Sequence, residues 1–495
     1  MPDSTGNGFT RRNFLKTTAA GAVGLTASKA FAGAPSNPSQ STAARKPAQS
    51  PQKVIVAGAG MAGLVAAYEL DRAGHDVTIL EAQLRPGGRV LTLRAPFSDG
   101  HYAEAGATRI PNTHERTIGY ARQFELKLVP YYPPAGSFVN QIDGFRVIGP
   151  RGDFGNAASG LTATERRLGV AGMWKRYVSG AVQEIGNPAA AGWSPAQFAS
   201  YDAVTFTHFL RQRGASAAAI SVMLLGRDLD GVSALRMLAD LAVNGNVTDY
   251  FKIDGGNDLL PRALAQKLST RMRYGAWVRQ IHQDNRHVRA IYVQGNLEHT
   301  IEADHLICTI PFPVLRQVQF SPILSDEKIE AIDGTYYLSA AEVLLQENCR
   351  FWQASGLNGF AFSDWPVEVW QPTSDQPGRR GILAACMTGG MARRVAALPV
   401  DRRIESLSNE METIFPGTRE NFEGGVTKSW DEDFWARGAM EWFHPGEMTT
   451  YGPYMATPEG RIYFAGEHTS PWAGWIEGAI QSGVRAAREV QQAAS

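Results

Sequence analysis

The spacing of apolar residues changes several times along the chain, and each change predicts a different element. Residues 53–58, KVIVAG, form a short β-branched run of the kind buried on both faces of a parallel sheet. Helix-period spacing follows to about Arg72, and a second strand pattern, DVTILEA, carries Glu81 near its end. Residues 151–246 hold helical patterns such as TATERRLGVAGMWKRYVSGAVQEI and few strand runs. LICTI, around Cys308, is an apolar run, and a strand-like run returns in IYFAG near the C-terminus. No stretch beyond the N-terminal segment reaches the roughly 18 uninterrupted apolar residues of a membrane span, so no anchor is expected.

The first strand, helix and second strand enclose Gly58, Gly60 and Gly63, with Glu81 placed 18 residues after the last glycine. Each position has a physical reason. Gly58 permits a sharp turn, Gly60 lets a pyrophosphate reach the backbone, and Gly63 lets the helix pack on the strand. Free N–H groups at the helix start attract phosphate, and Glu81 can accept hydrogen bonds from a ribose. The complete strand–glycine–helix–strand context predicts a dinucleotide site, and an acid at position 81 disfavours a 2′-phosphate.

Bulk properties narrow the picture. A chain of 495 residues exceeds one hydrophobic core, so two or three domains are expected. Forty-eight basic residues balance 48 acidic ones, which leaves no field to draw in nucleic acid. The three cysteines, Cys308, Cys349 and Cys386, show no CxxC pair and no zinc spacing, so neither a disulfide framework nor a metal site is expected.

The N-terminus reads as an address. Arg11 and Arg12 in TRRNFLK precede a weakly apolar run to Ala32, ending in Ala30-Phe31-Ala32. This layout resembles a twin-arginine export signal over residues 1–32, and residues 33–52 have a linker composition. Export in the folded state by the twin-arginine machinery to the periplasm, or secretion, is the expectation.

Further motifs carry a family resemblance. EAQLRPGGRV, with Ala82, Gly87, Gly88 and Arg89, resembles the second glycine motif of the flavin amine oxidase superfamily. RIYFAGEHTSPWAGWIEGAIQSGVRAAREV resembles its closing flavin motif. The resemblance implies FAD. It implies that Ala59, Met61 and Ala62 join the three glycines and Glu81 at the dinucleotide, that Val278 in YGAWVRQIHQD meets the adenine, and that Glu467 contacts the ribityl–phosphate region. Gly466, Trp475 and Ile476 are placed beside the flavin. The implied fold is α/β: a Rossmann-like FAD domain (residues 53–94, 247–320 and 456–495), a mixed-sheet substrate domain (95–150 and 321–455) and a helical domain (151–246) that closes the cavity or forms a homodimer contact.

Within that superfamily, YAEAGATRIPNTHERTIGYARQFEL (residues 102–126) resembles the L-amino acid oxidase pattern, in which Gly106, Ala107 and Thr108 lead to an arginine, here Arg109. The resemblance assigns Arg109 to a substrate carboxylate, which a planar guanidinium grips with two parallel bonds. Gly474-Trp475 matches the pair that flanks substrate beside the flavin.

Two departures stand out. Glu342 occupies the position of a family lysine linked to oxygen chemistry; its alternative readings are a base, a partner for a cationic substrate side chain, or a residue outside the site. EVWQP offers Trp370 or Gln371 where the family has a carboxylate-binding tyrosine. The implied activity is oxidation of an L-α-amino acid to a 2-oxo acid, ammonia and hydrogen peroxide, with molecular oxygen or another acceptor. The rivals are an amine lacking a carboxylate and, in a different class, a flavin-bound binding or structural protein.

The export signal gives the first testable outcome. Replacing Arg11 and Arg12 together by Lys is expected to hold the precursor in the cytoplasm, because the pathway reads guanidinium groups and not charge alone. Fractionation and blotting of the double variant check this; undiminished periplasmic protein contradicts the assignment.

Overall fold

Alternation along β1 (Lys53–Ala57) divides its side chains between two cores. Val54 and Val56 face α1 (Met61–Arg72) and the C-terminal helix Ile476–Ala493, where they meet Leu64, Val65, Ile480 and Val490. Ile55 and Ala57 point the other way, onto Val278, Ile281, Val288 and Ala290. A strand buried on both faces must be apolar throughout, which accounts for the β-branched run. The computed structural model describes residues 50–142, 144–154, 160–225, 229, 231–366 and 368–493; the export segment and most of the linker lie outside the described residues.

β1 is the centre of a five-stranded parallel sheet ordered Met272–Tyr274, β2 (Asp76–Glu81), β1, His305–Cys308 and Ile462–Phe464. Strands far apart in sequence therefore lie side by side. A four-stranded sheet (Trp277–Gln283, Val288–Gln294, Leu297–Ala303 and Gln319–Ser321) covers one face.

A second, seven-stranded sheet runs in the order Phe422–Ser429, Ala340–Glu347, Gly381–Thr388, Glu368–Trp370, Leu357–Ser363, Ser137–Ile142 and Phe145–Gly149. It is mixed, with one parallel pairing between Leu357–Ser363 and Ser137–Ile142. Val343, Leu345, Leu383 and Met387 sit on the face packed by Leu407 and Met411 of the helix Val400–Ile414. The alternate residues face the opposite way. There the register aligns Lys428, Glu342, Cys386 and Glu368 in one row across four strands.

Residues 160–246 carry helices, among them Ala163–Tyr177, Phe206–Gln212, Ala217–Leu224 and Ala234–Asn244. The first starts at a capping box: Thr162 accepts from the Glu165 N–H while Glu165 accepts from the Thr162 N–H. Gly169, at φ +63°, interrupts it. Trp174, Phe206, Phe209 and Leu235 share a core that reaches the mixed sheet at Ile142 and Phe362.

The segment 95–150 is divided between the two halves rather than given wholly to the substrate side. Its helix Glu115–Gln123 buries Ile118 with α1 and the C-terminal helix, and Ile110–Pro111 and Leu128–Pro130 pair with Tyr250–Ile253. Apolar contact with the parallel-sheet core decides the matter. All three cysteines are free, and burial pushes the Cys308 thiol up to about 12.

Glu347 ends a core strand at 0% exposure, with no hydrogen-bond partner on either oxygen among the described residues. Burial pushes its carboxyl from 4.5 up to about 8, with Glu412 and Glu423 adding repulsion. A raised carboxyl favours the protonated native state, so its cost is absent below 4.5, grows as pH rises towards about 8, and is complete above that. The stability advantage of Glu347→Met over wild type is expected to grow across that window by on the order of 2–4 kcal/mol and then level off. Denaturant melts at pH 4.5, 6, 8 and 9 check this; a difference that does not vary with pH contradicts it.

Candidate active site

The turn joining β1 to α1 opens onto a cavity of about 630 Å³. Gly58 bends the chain at φ +110°, where a Cβ would lie 2.5 Å from Thr309 Oγ1. A Cβ on Gly63 would fall 2.0 Å from the Gly58 carbonyl. Protein packing thus demands both glycines. Gly60 differs: a Cβ there meets nothing within 4 Å, and the residue lines the cavity. Among the described residues no protein group requires its missing side chain, so the space fits close approach of a ligand.

Glu81 stands beside this turn. The Ala59 N–H donates to its Oε2 at 2.6 Å and the Gln83 N–H to its Oε1 at 2.7 Å. Burial pushes the Glu81 carboxyl up, against the pull of those two bonds. Met61, Ala62, Ala82, Gly87, Gly88 and Val278 also line the cavity. Ala59 and Gly63 do not, and both belong to the packing that shapes the turn.

Gly106, Ala107, Thr108 and Arg109 continue the wall. A Cβ on Gly106 would stand 2.2 Å from the Arg89 carbonyl, so glycine is required where these two segments cross. Arg89 Nη1 donates to Glu467 Oε1 at 2.7 Å and to the Ala439 carbonyl at 2.8 Å. Glu467 Oε2 accepts from the Gly474 N–H at 2.6 Å. Burial would raise the Glu467 carboxyl, but the Arg89 charge and the Gly474 bond hold it below its usual range. Both Glu467 oxygens are thereby engaged by protein groups, an addition to the ribityl–phosphate contact that the resemblance implied. The same bond pins the loop carrying Gly466, Gly474, Trp475 and Ile476 to the cavity wall. Trp475 Nε1 donates to Asp240 Oδ1 at 3.2 Å, and its ring meets His114 edge-on at 5.0 Å.

At the other end, Arg109 is already forked. Nη1 donates to Glu368 Oε2 at 3.0 Å and Nη2 to Oε1 at 3.4 Å, with Tyr132 Oη 3.4 Å from Nη1. The rings of Tyr131, Tyr250 and Trp370 lie 5.7–5.9 Å from the guanidinium carbon. The two-pronged grip expected for a substrate carboxylate is therefore closed on a protein carboxylate. Trp370 lines the cavity, and its Nε1 donates to Glu368 Oε2 at 2.9 Å. Gln371 does not line it; its amide donates to Thr373 Oγ1 at 3.1 Å. The alternation of a strand decides between them, since consecutive side chains take opposite faces.

Glu342 lines the cavity at 4% exposure, and its Oε2 has no hydrogen-bond partner among the described residues. Burial, followed by the Glu104 charge, pushes its carboxyl well above the usual range, against the pull of Lys428. Lys428 is itself bound to Asp433 at 2.5 Å and lies 4.4 Å over the Trp430 ring.

Sequence reasoning missed Glu368, Cys386, Arg236 and Asp240, which all line the cavity. Arg236 bonds Glu441 Oε2 at 3.2 Å and lies 3.8 Å from Asp240. Their spacing of four on one helix was the available signal, with nothing to say what the helix faced. Glu368 lies two residues before Trp370, hence on the same face of its strand. Trp430, Trp435 and Trp442 also line the cavity, whereas Trp472 and His468 do not. Burial pushes His468 down to about 3.

A glycine turn closing on a parallel strand, an acid fixed at the second strand and a long cavity running to a second sheet define a dinucleotide-dependent oxidoreductase architecture. The chain belongs to the flavin containing amine oxidoreductases: the family model matches residues 61–491, and FAD is the cofactor. It is 30% identical over 490 residues to the flavin-dependent L-tryptophan oxidase RebO of Lentzea aerocolonigenes, covering 89% of this chain and 98% of that one. It is 29% identical over 456 residues to an L-amino-acid oxidase of Bothrops atrox, covering 90% and 89%. A solved putrescine oxidase bound to putrescine superimposes with a TM-score of 0.76 at 22% identity, over 89% of this chain and 99% of that one.

The contrast between two glycines is testable. Gly60→Ala is expected to fold, with the apoprotein melting as wild-type apoprotein does, yet to bind FAD at least about tenfold more weakly. Gly63→Ala is expected to lower the apoprotein melting temperature, because its methyl collides with the Gly58 carbonyl. FAD titration and thermal melts of both apoproteins check this; full FAD affinity in Gly60→Ala contradicts the cradle.

Proposed function

We propose that the protein oxidises the Cα–N bond of an L-α-amino acid, releasing a 2-oxo acid and ammonia after hydrolysis of the imino acid, with oxygen reduced to hydrogen peroxide. The observation that carries this reading is Arg109, a guanidinium in the cavity wall whose side chain is 11% exposed and ringed by aromatic faces. The full-length similarity to proteins named as L-amino acid oxidases supports it. When bound, FAD supplies a two-electron acceptor for the hydride leaving Cα.

The chain's own residues bind and orient. Arg109 holds the α-carboxylate, and fixing that group fixes the direction of the Cα–H bond. Tyr131, Tyr250 and Trp370 exclude water from the pair, which strengthens it. Trp475, tied to Asp240, walls the reacting amine. In the resting protein Glu368 keeps the buried guanidinium paired. A substrate carboxylate exchanges with it like for like, and Glu368 retains the Trp370 N–H.

A second reading, an amine lacking a carboxylate, is favoured by that same fork, because an arginine satisfied by Glu368 needs no anionic substrate.

Arg109→Ala is expected to lower kcat/KM for L-amino acids by roughly a hundredfold to several thousandfold, since the substrate carboxylate would be buried unpaired. Arg109→Lys is expected to recover only part of this, for want of two parallel bonds. Decarboxylated analogues should be poor substrates of wild type and lose little more in the variants. Anaerobic flavin reduction with L-amino acids and their decarboxylated amines measures all of this. Preference of wild type for the amines would install the second reading.

A further inference from the structure

We propose that the substrate carries a second positive charge, received by Glu342, so that the preferred substrates are L-α-amino acids with a basic side chain. The inference rests on the α-amino acid reading for the first charge and the carboxylate, and on Glu342 for the second.

Apart from Glu81, which is held by two backbone N–H groups, the charges of the cavity pair off with one exception. Arg89 and Glu467 form one pair. Arg236 serves two carboxylates, Glu441 and Asp240. Arg109 is forked by Glu368. At the substrate end, the two guanidiniums that line the cavity thus stand with three lining carboxylates, Glu342, Glu368 and Asp240, and Arg236 is shared with Glu441 outside the lining. Glu342 lines the cavity and makes no salt bridge with any cation among the described residues, and its buried Oε2 reaches no hydrogen-bond donor among them.

Among the described residues, its surroundings offer no uncommitted cation. On one adjacent strand, Lys428 is directly opposite but committed to Asp433 and the Trp430 ring. On the other adjacent strand the opposite residue is the Cys386 thiol, followed by Glu368. From the hairpin below, Glu104 adds negative charge, and it is held by Thr92 and the Asn257 N–H. A carboxyl placed in a dry wall with negative neighbours and an unfilled acceptor is costly to the fold. A ligand cation would reverse that cost by supplying both charge and donors.

The cation must be a second one. The reacting nitrogen has to be neutral when the hydride leaves Cα, because an ammonium has no lone pair to form the C=N bond. A lasting ion pair at Glu342 is therefore made with a group that keeps its charge through the reaction, an ammonium or guanidinium on the side chain. Burial raises the Glu342 carboxyl, so pairing it with such a side chain favours loss of its proton on binding.

The test uses the FAD-loaded protein. kcat/KM for L-lysine, L-ornithine and L-arginine is compared with that for L-norleucine, which matches lysine without the charge. The best basic substrate is expected to exceed L-norleucine by at least about thirtyfold, and Glu342→Gln to cut that ratio at least about tenfold. A second readout needs no turnover. L-lysine is titrated into protein whose flavin has been reduced anaerobically beforehand, in buffers of different ionisation enthalpy near pH 7. Wild type is expected to release more protons per lysine bound than Glu342→Gln, and equal release by the two overturns the proposal.

L-norleucine matching the basic amino acids in wild type overturns the proposal, whatever the variant does. So does a Glu342→Gln protein that slows lysine and norleucine equally, which is the result for a base acting on the reacting ammonium. If only decarboxylated amines reduce the flavin, the α-amino acid reading falls on its own. Cadaverine against pentylamine then decides the role of Glu342: a preference for cadaverine that Glu342→Gln removes upholds it, and equal rates overturn it.

Discussion

Charges removed from water must be paired where they stand, and this requirement organises the cavity and the segments around it. Arg89 and Glu467 come from opposite ends of the chain, and their pair also fixes Gly474 through the second Glu467 oxygen. Arg236 on a helix of the inserted segment holds Glu441 from the distant strand Met440–Glu441 and caps the Ala473 carbonyl. Arg109 meets Glu368, which in turn orients the Trp370 indole. Each pair joins two elements far apart in sequence. Removing one partner would leave a buried charge, at a cost of about 3–5 kcal/mol.

The topology places these pairs. Because β1 lies mid-sheet, with His305–Cys308 and Ile462–Phe464 added on one side, the first and last motifs of the chain meet across one crevice. The mixed sheet then supplies the far wall. Its two-residue period sends Val343 and Leu345 into the core beneath Leu407 and Met411, and leaves Glu342, Cys386 and Glu368 facing the cavity. A strand that is apolar on its covered face can carry carboxylates on the other without loss of packing. In this way substrate-facing residues vary while the fold is retained.

The local pattern was enough for the dinucleotide half. The β-branched run of β1, the three glycines, α1 ending at Arg72 and Glu81 on β2 lie within about thirty residues, and each is dictated by neighbours in sequence: a turn needs glycine, a doubly buried strand needs Val and Ile, and a helix start attracts phosphate. The motifs around Arg109 and Trp475 placed both at the substrate, and both line the cavity; they left open whether Glu342 reached the site and which of Trp370 and Gln371 did. What the chain could not disclose was pairing. Glu368 is 259 residues from Arg109, and Glu441 is 205 from Arg236. Neither carboxylate carries a local signature, because an acid in a short strand looks the same whether it faces solvent or a guanidinium. The choice of Trp370 over Gln371, the isolation of Glu342 from Lys428 and the closing of the Arg109 fork were decided by strand register and long-range packing. Those are set by the whole buried surface and not by any window of sequence.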